Sequence, residues 1–392
     1  MFKIPLNVTE EISSICNIPK QSSTAKLMQE CSLIVWDEAT MAHKSGVDAL
    51  DKTLQDLRNK FSPMGGCTVL FSGDFRQILP VVSRGTRADE VKACLKRSQL
   101  WQHMYKVLLQ KNMRLTSGLA NELFAKALLK IGIGKMTDNN SNVDINESLC
   151  VPVKSLEELL EKVYPDISNL RGMTLDWFKE RAILTPTNDE CNVINNMVQY
   201  KFDAPNKTYY SVDTVLDQEQ VVHFPTEFLN SLNPSGAPPH KLNLKLGSPV
   251  ILLRNLNPPK LCNGTRLIIV SFKNYLIECK IITGCGTGEI VLIPRIPIIP
   301  TDLPFQFRRL QFPLKLCFAM TINKSQGQTF EVAGVDLSVN CFSHGQLYVA
   351  LSRVTNKNNL FIFAPEKKCL ILFTNLIFLL NLALGISWLI QI

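Results

Sequence analysis

The chain has 392 residues, an apolar fraction of 46% and a formal net charge of +8. That length exceeds what one hydrophobic core usually serves, so two or more domains are expected, while the moderate positive charge suits a protein that follows a phosphate backbone and equally a basic soluble enzyme. The 12 cysteines are scattered from Cys16 to Cys369 with no CxxC pair and no His-x-x-x-His partner, which excludes a zinc knuckle and leaves reduced, mostly buried thiols.

The N-terminal MFKIPLNVTEE has no apolar core ahead of its acids, so no secretory signal is expected. Phe2 to Leu6 reads as the end of a strand and Ser22 to Glu30 as a short helix. Leu33-Ile34-Val35-Trp36 then runs into Asp37-Glu38. A short apolar run bounded by polar residues is the pattern of a strand buried in a parallel sheet, and such sheets hold ligands beyond their carboxyl ends. An acid placed there can ligate magnesium beside phosphates, and its neighbour can orient or deprotonate water. A solvated acidic turn after a core strand fits the same residues. Residues 47–60 place Val47, Leu50, Leu54 and Leu57 on one face of an amphipathic helix, returning the chain as a right-handed crossover would. A second apolar run, Val69-Leu70-Phe71, ends at Gly73-Asp74. Arg76 and Gln77 stand directly behind that acid. The Gln77 amide both donates and accepts, so it can touch a phosphate oxygen or a water on one side and the next domain on the other. By itself GDFRQ also reads as a turn held by Asp74.

Residues 87–100 repeat a helical pattern, Trp101 to Arg114 reads as a strand and turn, and Leu119 to Ile131 as a helix. Asn139 to Asn146 is a polar loop, and Leu156 to Tyr164 is a helix stopped by Pro165. Arg181 to Asn188 opens a second block: a strand, a polar turn, and a helix from near Asp189 with Val193, Ile194 and Met197 facing inward. An ordinary strand-turn-helix unit accounts for it equally well. Residues 227–270 set dense Pro, Gly and Asn between short apolar strands, an all-β stretch inside an α/β chain. There Gly247 and Gly264 read as turn residues, and Lys245, Arg254, Lys260 and Arg266 as phosphate contacts or simply exposed basic residues. Cys279 and Cys285 flank a Gly-rich turn. Leu316 to Met320 reads as a strand with Thr321, Asn323, Lys324, Ser325 and Gln326 at its end and Gly327 permitting close backbone approach. That cluster suits a DNA strand or a phosphate, and also a polar helix N-terminus capped by Thr321. In GQLYVALSRV, Arg353 follows a helix bearing Leu347, Val349 and Leu351, where an arginine can compensate the helix dipole. Tyr348 reads as a packing residue.

Cys369 to Ile392 contains no charged residue. As a helix it would span roughly 36 Å, enough for a bilayer core, with Lys367 and Lys368 on the cytoplasmic side. Asn375 and Asn381 would be costly against lipid. A membrane anchor, a buried C-terminal helix and translated sequence beyond a true gene end all account for it.

LIVWDEATM and FSGDFRQILPV resemble motifs II and III of superfamily 1 DNA helicases of the Pif and RecD type, especially the Helitron-associated branch. The strand at 181–188 is similar to their motif IV, and INKSQGQTF to motif V. The resemblance covers roughly residues 2–365. It implies an α/β fold of two RecA-like parallel-sheet domains with a small SH3-like all-β insert in the second. The layout would be a partial first domain at 1–135, a connection at 136–180, the second domain at 181–226 and 305–365, the insert at 227–304, and a hydrophobic tail at 366–392. It implies an ATP-dependent, 5′-to-3′ DNA helicase, with Asp37 as the Mg2+ ligand and Asp37, Glu38, Gln77 and Arg353 as catalytic residues, Arg353 reaching across the domain cleft as a finger. ATP contacts would come from Asp37, Asp74, Gln77, Arg114, Lys324 and Arg353, and DNA contacts from Thr321, Asn323, Lys324, Ser325 and Gln326. Partners would be single-stranded and duplex DNA, bound by a monomer in the nucleus during repair, recombination or telomere maintenance. The tail adds the alternative of membrane contact through 369–392.

Helicases of this type carry a GxxxxGK[ST] phosphate loop well before motif II, and nothing upstream of Asp37 supplies one. The chain therefore reads as clipped at its N-terminus, a degraded or mis-predicted gene, and alone is expected to bind ATP poorly or not at all. The rival expectation is a catalytically inactive single-stranded-DNA-binding remnant.

Overall fold

The computed structural model describes residues 2–5, 15–82, 85–109, 119–138, 141–217, 223–300, 303–370 and 386–391. They fall into two compact units, one of Met1–Asp144, Asn340–Thr355 and Lys368–Ile392, the other of Ile145–Val339 and Asn356–Lys367.

In the first unit, helix α1 (Ser23–Glu30) starts where the Ser22 hydroxyl accepts the Ala25 amide. Strand β1 (Leu33–Trp36) is followed by α2 (Lys44–Arg58), which buries Val47, Leu50, Leu54 and Leu57 as its apolar stripe requires. The chain returns as β2 (Thr68–Gly73), parallel to β1 with Leu33 opposite Thr68 and Trp36 opposite Phe71. The α2 stripe meets Ile34, Val69 and Phe71 in one core. Helix α3 (Arg87–Ala93) opens with a Thr86–Asp89 capping box. The helical pattern expected over 87–100 ends at Ala93; short 3-10 turns at Leu95–Arg97 and Gln99–His103 then lead to β3 (Tyr105–Leu109). Helix α4 (Leu119–Gly132) follows. Phe2–Pro5 is not a strand, and Leu6 and Arg114 lie outside the described residues.

Two expectations for this unit are corrected. The polar stretch expected as a loop contains β4 (Asn142–Asp144), paired antiparallel with β20 (Lys368–Leu370), a partner more than 200 residues away that no local pattern reveals. The apolar tail is not one helix. Its opening lies in β20 and its end forms β21 (Ile386–Gln391), giving the sheet order β1-β2-β21-β3. Among the described residues no helix is long and apolar enough to cross a membrane. An apolar run without periodicity fits strand or helix alike, and the open ladders of β2 and β3 supply the tail's backbone with partners. Helix α9 (Gln346–Leu351) also belongs to this unit and buries Leu347, Val349 and Leu351.

The second unit is built on an all-parallel sheet of β5 (Val151–Val153), β6 (Arg181–Thr185), β17 (Ala319–Thr321), β18 (Val332–Asp336) and β19 (Leu360–Phe363), in the order β17-β6-β18-β19-β5. Helices α5 (Leu156–Val163), α6 (Leu175–Lys179) and α7 (Asn188–Lys201) pack with it. On α7 the inward face is Cys191, Ile194, Asn195 and Val198; Val193, expected inward, is 55% exposed, because the true stripe starts two residues earlier.

The insert holds an antiparallel sheet of β10 (Pro249–Leu252), β11 (Arg266–Phe272), β12 (Leu276–Ile281), β13 (Ile290–Pro294) and β16 (Leu314–Leu316), in the order β13-β12-β11-β10-β16. Beside it β7 (Asn206–Tyr210) pairs with β9 (Lys241–Lys245), and β14 (Ile296–Ile298), β15 (Phe307–Gln311) and β8 (Val212–Val215) form a small sheet near α8 (Thr226–Ser231). The single strand expected over Leu316 to Met320 is two: β16 joins the antiparallel sheet and β17 the parallel one. Asn195 explains the break, since its Oδ1 accepts the amides of Phe318 and Ala319 at 2.9 Å each and its Nδ2 donates to the Ala319 carbonyl at 3.0 Å. Gly247 and Gly264 take φ of 81° and 93°, as turn residues should. Arg266, a candidate phosphate contact, is instead buried: it donates to the carbonyls of Phe178, Lys179 and Arg181, where a cation offsets the C-terminal dipole of α6. Lys260 pairs with Glu289, Lys245 donates to the Phe202 carbonyl, and Arg254 to the carbonyl of Leu253.

Candidate active site

The parallel pairing of β1 and β2 brings Asp37 and the Gly73–Gln77 loop to one edge of the first unit's sheet. Asp37 Oδ1 accepts the Ser72 hydroxyl and, at 3.0 Å, the Glu38 amide, so its carboxylate is oriented while the side chain stays exposed. Glu38 has φ 51°, left-handed, which turns the chain sharply into the 3-10 turn Ala39–Met41. That turn lies against Gly73: a Cβ there would stand 2.7 Å from Thr40 Cγ2, so only glycine lets the two acidic strand ends approach this closely.

Asp74 is 3% exposed and fully engaged. It accepts the Arg76 amide at 3.0 Å, the Arg76 guanidinium at 2.8 and 3.1 Å, and the Tyr348 hydroxyl at 3.3 Å. The Arg76 guanidinium also lies 5.6 Å from the centroid of the Tyr348 ring. Burial, followed by the Asp74 charge, raises the Tyr348 pKa, so the phenol remains a donor. Thus α9 is clamped to the Gly73–Gln77 loop through side chains, and through backbone too. Gly345 (φ 72°) approaches so closely that a Cβ would stand 2.5 Å from the carbonyl oxygens of Arg76 and Gln77. His344 Nε2 donates to the Phe75 carbonyl at 2.9 Å; burial lowers its pKa against the opposing effects of that bond and of Asp74. Gln77 donates its amide to the Asp74 carbonyl at 3.0 Å, while its side-chain Oε1 is buried without a hydrogen-bond partner. Arg353, 3% exposed, folds back on its own helix: Nε donates to the Val349 carbonyl at 2.8 Å and Nη2 to the Ser352 hydroxyl at 2.9 Å.

In the second unit, Thr321 closes β17 at the carboxyl edge of the parallel sheet and Ile322–Ser325 form a 3-10 turn, with Gly327 at φ 77°. Thr321 makes no side-chain cap, so the capping alternative is not realised. Ser325 is buried and donates to the Ile322 carbonyl at 2.7 Å; Asn323, Lys324 and Gln326 are half-buried. Burial and then the neighbouring Lys315 lower the Lys324 pKa. Beside them stand Thr185 and Asp336 at the ends of β6 and β18; burial raises the Asp336 pKa, against the Ser338 amide it accepts at 2.9 Å.

The structure therefore gathers Asp37, Glu38, Asp74, Gln77 and Arg353 in the first unit and Thr321, Asn323, Lys324, Ser325 and Gln326 at one turn of the second. Sequence reading missed Ser72, His344, Gly345 and Asp336. Asp336 carried a usable signal, an apolar run ending in an acid as at Asp37; Ser72 and His344 carried none, because their partners lie far along the chain.

Parallel pairing with acids and polar turns beyond the carboxyl ends of the strands, found in each unit, is consistent with RecA-like α/β domains. Family descriptions agree: residues 1–142 match "PIF1-like helicase" and residues 227–272 match "DNA helicase Pif1, 2B domain". Over these two stretches the chain is similar to the Pif1-like helicases. It is 25% identical over 334 residues to the human ATP-dependent DNA helicase PIF1, covering 84% of this chain and 46% of that protein. It is 24% identical over 355 residues to the Xenopus laevis enzyme, covering 90% and 49%. The chain thus spans about half the length of these relatives. Its fold is similar to that of Pif1 helicase from Bacteroides in complex with ADP-AlF3 and ssDNA (TM-score 0.67, 22% identity, 96% of this chain and 80% of that one). It is equally similar to a structure of two coordinating Pif1 helicases on forked dsDNA (TM-score 0.67, 21% identity, 96% and 79%).

Proposed function

We propose that the chain carries the water-handling and DNA-gripping parts of an ATP-dependent DNA helicase, moving 5′ to 3′ in nuclear repair, recombination or telomere maintenance and working as a monomer. The observation that carries the reading is the first unit's acidic edge, where Asp37-Glu38 and the Gly73–Gln77 loop share one end of a parallel pair and Gln77 Oε1 is buried without a hydrogen-bond partner.

Asp37 fits a magnesium ion. Its Oδ1 takes the two internal bonds and Oδ2 is left for a cation, and no group of three or more ligating side chains among the described residues forms a dedicated metal cage. That suits Mg2+, which takes one or two carboxylates and completes its shell with water and phosphate. Bound there, the ion would neutralise charge on the phosphates. Glu38, turned out of the strand by its left-handed backbone, would orient and deprotonate the attacking water, and Gln77 would bond a phosphate oxygen or that water. Asp74 serves by holding Arg76 and Tyr348, which fix the loop. Arg353 would act as the finger after leaving the Val349 carbonyl. In the second unit Thr321, Asn323, Lys324 and Gln326 would meet the DNA backbone, Ser325 shaping the turn from within.

Residues 1–392 contain no GxxxxGK[ST], so the assay joins such a strand-loop-helix segment ahead of Met1. Strand separation on a forked duplex with a 5′ tail should then require ATP and vanish in Glu38→Gln. DNA binding with no ATP-dependent separation would leave a non-catalytic single-strand binder.

A further inference from the structure

The chain carries 12 free cysteines, and the functional reading uses none of them. Two of them meet at the amino ends of β1 and β2, the opposite end of that strand pair from Asp37 and Asp74. Cys31 is the C-cap of α1 and stands just ahead of β1, and Cys67 immediately precedes β2. The parallel register, Leu33 opposite Thr68, sets the thiols side by side with 3.8 Å between their sulfurs, although they lie 36 positions apart in the chain. Arg58, in the last turn of α2, holds both segments. Its Nη1 donates to the carbonyls of Met28, Gln29 and Cys31 at 2.9–3.0 Å, and its Nε to the Gly65 carbonyl at 3.0 Å. With the backbone held on each side, closing the gap to the roughly 2.05 Å of a disulfide requires side-chain rotation and a small approach.

The two thiols differ in access. Cys31 is half-buried, whereas Cys67 is 3% exposed. Burial first, and then the bond to Cys31, push the Cys67 thiol up to about 11, so at neutral pH it stays protonated. A second thiol pair in the same unit, Cys341 bonded with Cys369, has the same chemistry but is sealed from solvent. We propose that Cys31 and Cys67 form an oxidative modification site for hydrogen peroxide, Cys31 being the sulfur attacked by the oxidant and Cys67 the resolving thiol. Cys31, as thiolate, bonds one peroxide oxygen while the O–O bond breaks; hydroxide leaves and takes up the proton that Cys31 gave, forming water and a sulfenic acid. Cys67 Sγ then bonds Cys31 Sγ as the sulfenic oxygen departs with the Cys67 proton, as a second water. Two thiols and one peroxide thus give one disulfide and two waters. The ring so closed contains β1, Asp37, Glu38 and α2, so oxidation ties down the crossover that carries the first acidic strand end.

The test treats the full chain with hydrogen peroxide at neutral pH, maps its unreduced peptides by mass spectrometry and compares thermal unfolding of the oxidised and reduced chains. The Cys31–Cys67 cross-link should form at least about tenfold faster than one between Cys341 and Cys369, because thiol oxidation follows access, and dithiothreitol should reverse it. Cross-linking should raise the unfolding midpoint of the first unit by roughly 5–10 °C. In Cys67→Ser, dimedone should trap a sulfenic acid on Cys31; in Cys31→Ser, Cys67 should stay unmodified. A Cys31 left intact while the exposed Cys285 is oxidised, cross-links that join Cys31 to other cysteines, or an unmoved midpoint would overturn the inference. The peptide map and the midpoint are read on the unsubstituted chain, so they decide the matter even where a variant fails to fold.

Discussion

Gly345→Ala tests how the Gly73–Gln77 loop is held. Gly345 has φ 72°, and a Cβ would stand 2.5 Å from the carbonyl oxygens of Arg76 and Gln77. Left-handed backbone costs an L residue about 1–2 kcal/mol, and forcing a methyl against a backbone that cannot withdraw adds about 1–3 kcal/mol. Together they predict a loss of about 2–5 kcal/mol, or roughly 5–15 °C in Tm for a unit of this size. Gly264→Ala is the control: its φ is 93° and nothing lies within 4 Å of its Cβ position, so only the backbone cost applies. Urea unfolding followed by exchange in Thr68–Gly73 for the first variant, and in Arg266–Phe272 for the second, compares the two units separately. A Gly345→Ala cost no larger than that of Gly264→Ala would refute the interlock between α9 and the loop.

Three further outcomes are expected. Arg309 and Asp213 form a pair with neither side chain exposed, bonded at 2.7–3.1 Å, and Arg309 also donates to the carbonyls of Leu229, Leu232 and Pro238. Arg309→Met should cost the second unit about 3–5 kcal/mol in denaturant unfolding, and adding Asp213→Leu should recover part of it, because the lone buried carboxylate is then removed. His344 titrates below its ordinary value of 6.5 because it is buried. The unfolded chain therefore takes up the proton first as pH falls. Stability of the first unit should be level above about 6.5 and decline below it, and His344→Gln should flatten that decline. Lys324→Ala should weaken single-stranded DNA binding nearly uniformly across sequences and reduce the slope of log affinity against log salt by about 0.7–1, measured by anisotropy titration.

Much of the local framework around the candidate site was legible because it is written locally. The runs into Asp37 and Asp74, the stripe of α2 and the helix before Arg353 each follow from neighbours in sequence, and all formed. What was not legible depends on distant partners. The break between β16 and β17 is set by Asn195, more than 120 residues away. Arg266 looked like a surface cation because the carbonyls that receive it come from α6, more than 80 residues earlier. The tail's apolar run fitted a helix as well as a strand, and only the ladders of β2 and β3 decided it at Ile386–Gln391. Asp74 looked like a nucleotide ligand and is found bound to Arg76 and Tyr348, because the phenol arrives from 274 residues on.

The central claim is that Asp37 and Glu38 form the water- and magnesium-handling side of an ATPase driven by DNA. Steady-state ATP hydrolysis by the loop-supplied chain, with and without a single-stranded oligonucleotide, measures it most directly. The account predicts hydrolysis that rises with DNA, requires Mg2+, and falls by about 100-fold or more in Glu38→Gln while DNA binding persists. Hydrolysis that is indifferent to DNA, or unchanged by Glu38→Gln, would contradict it.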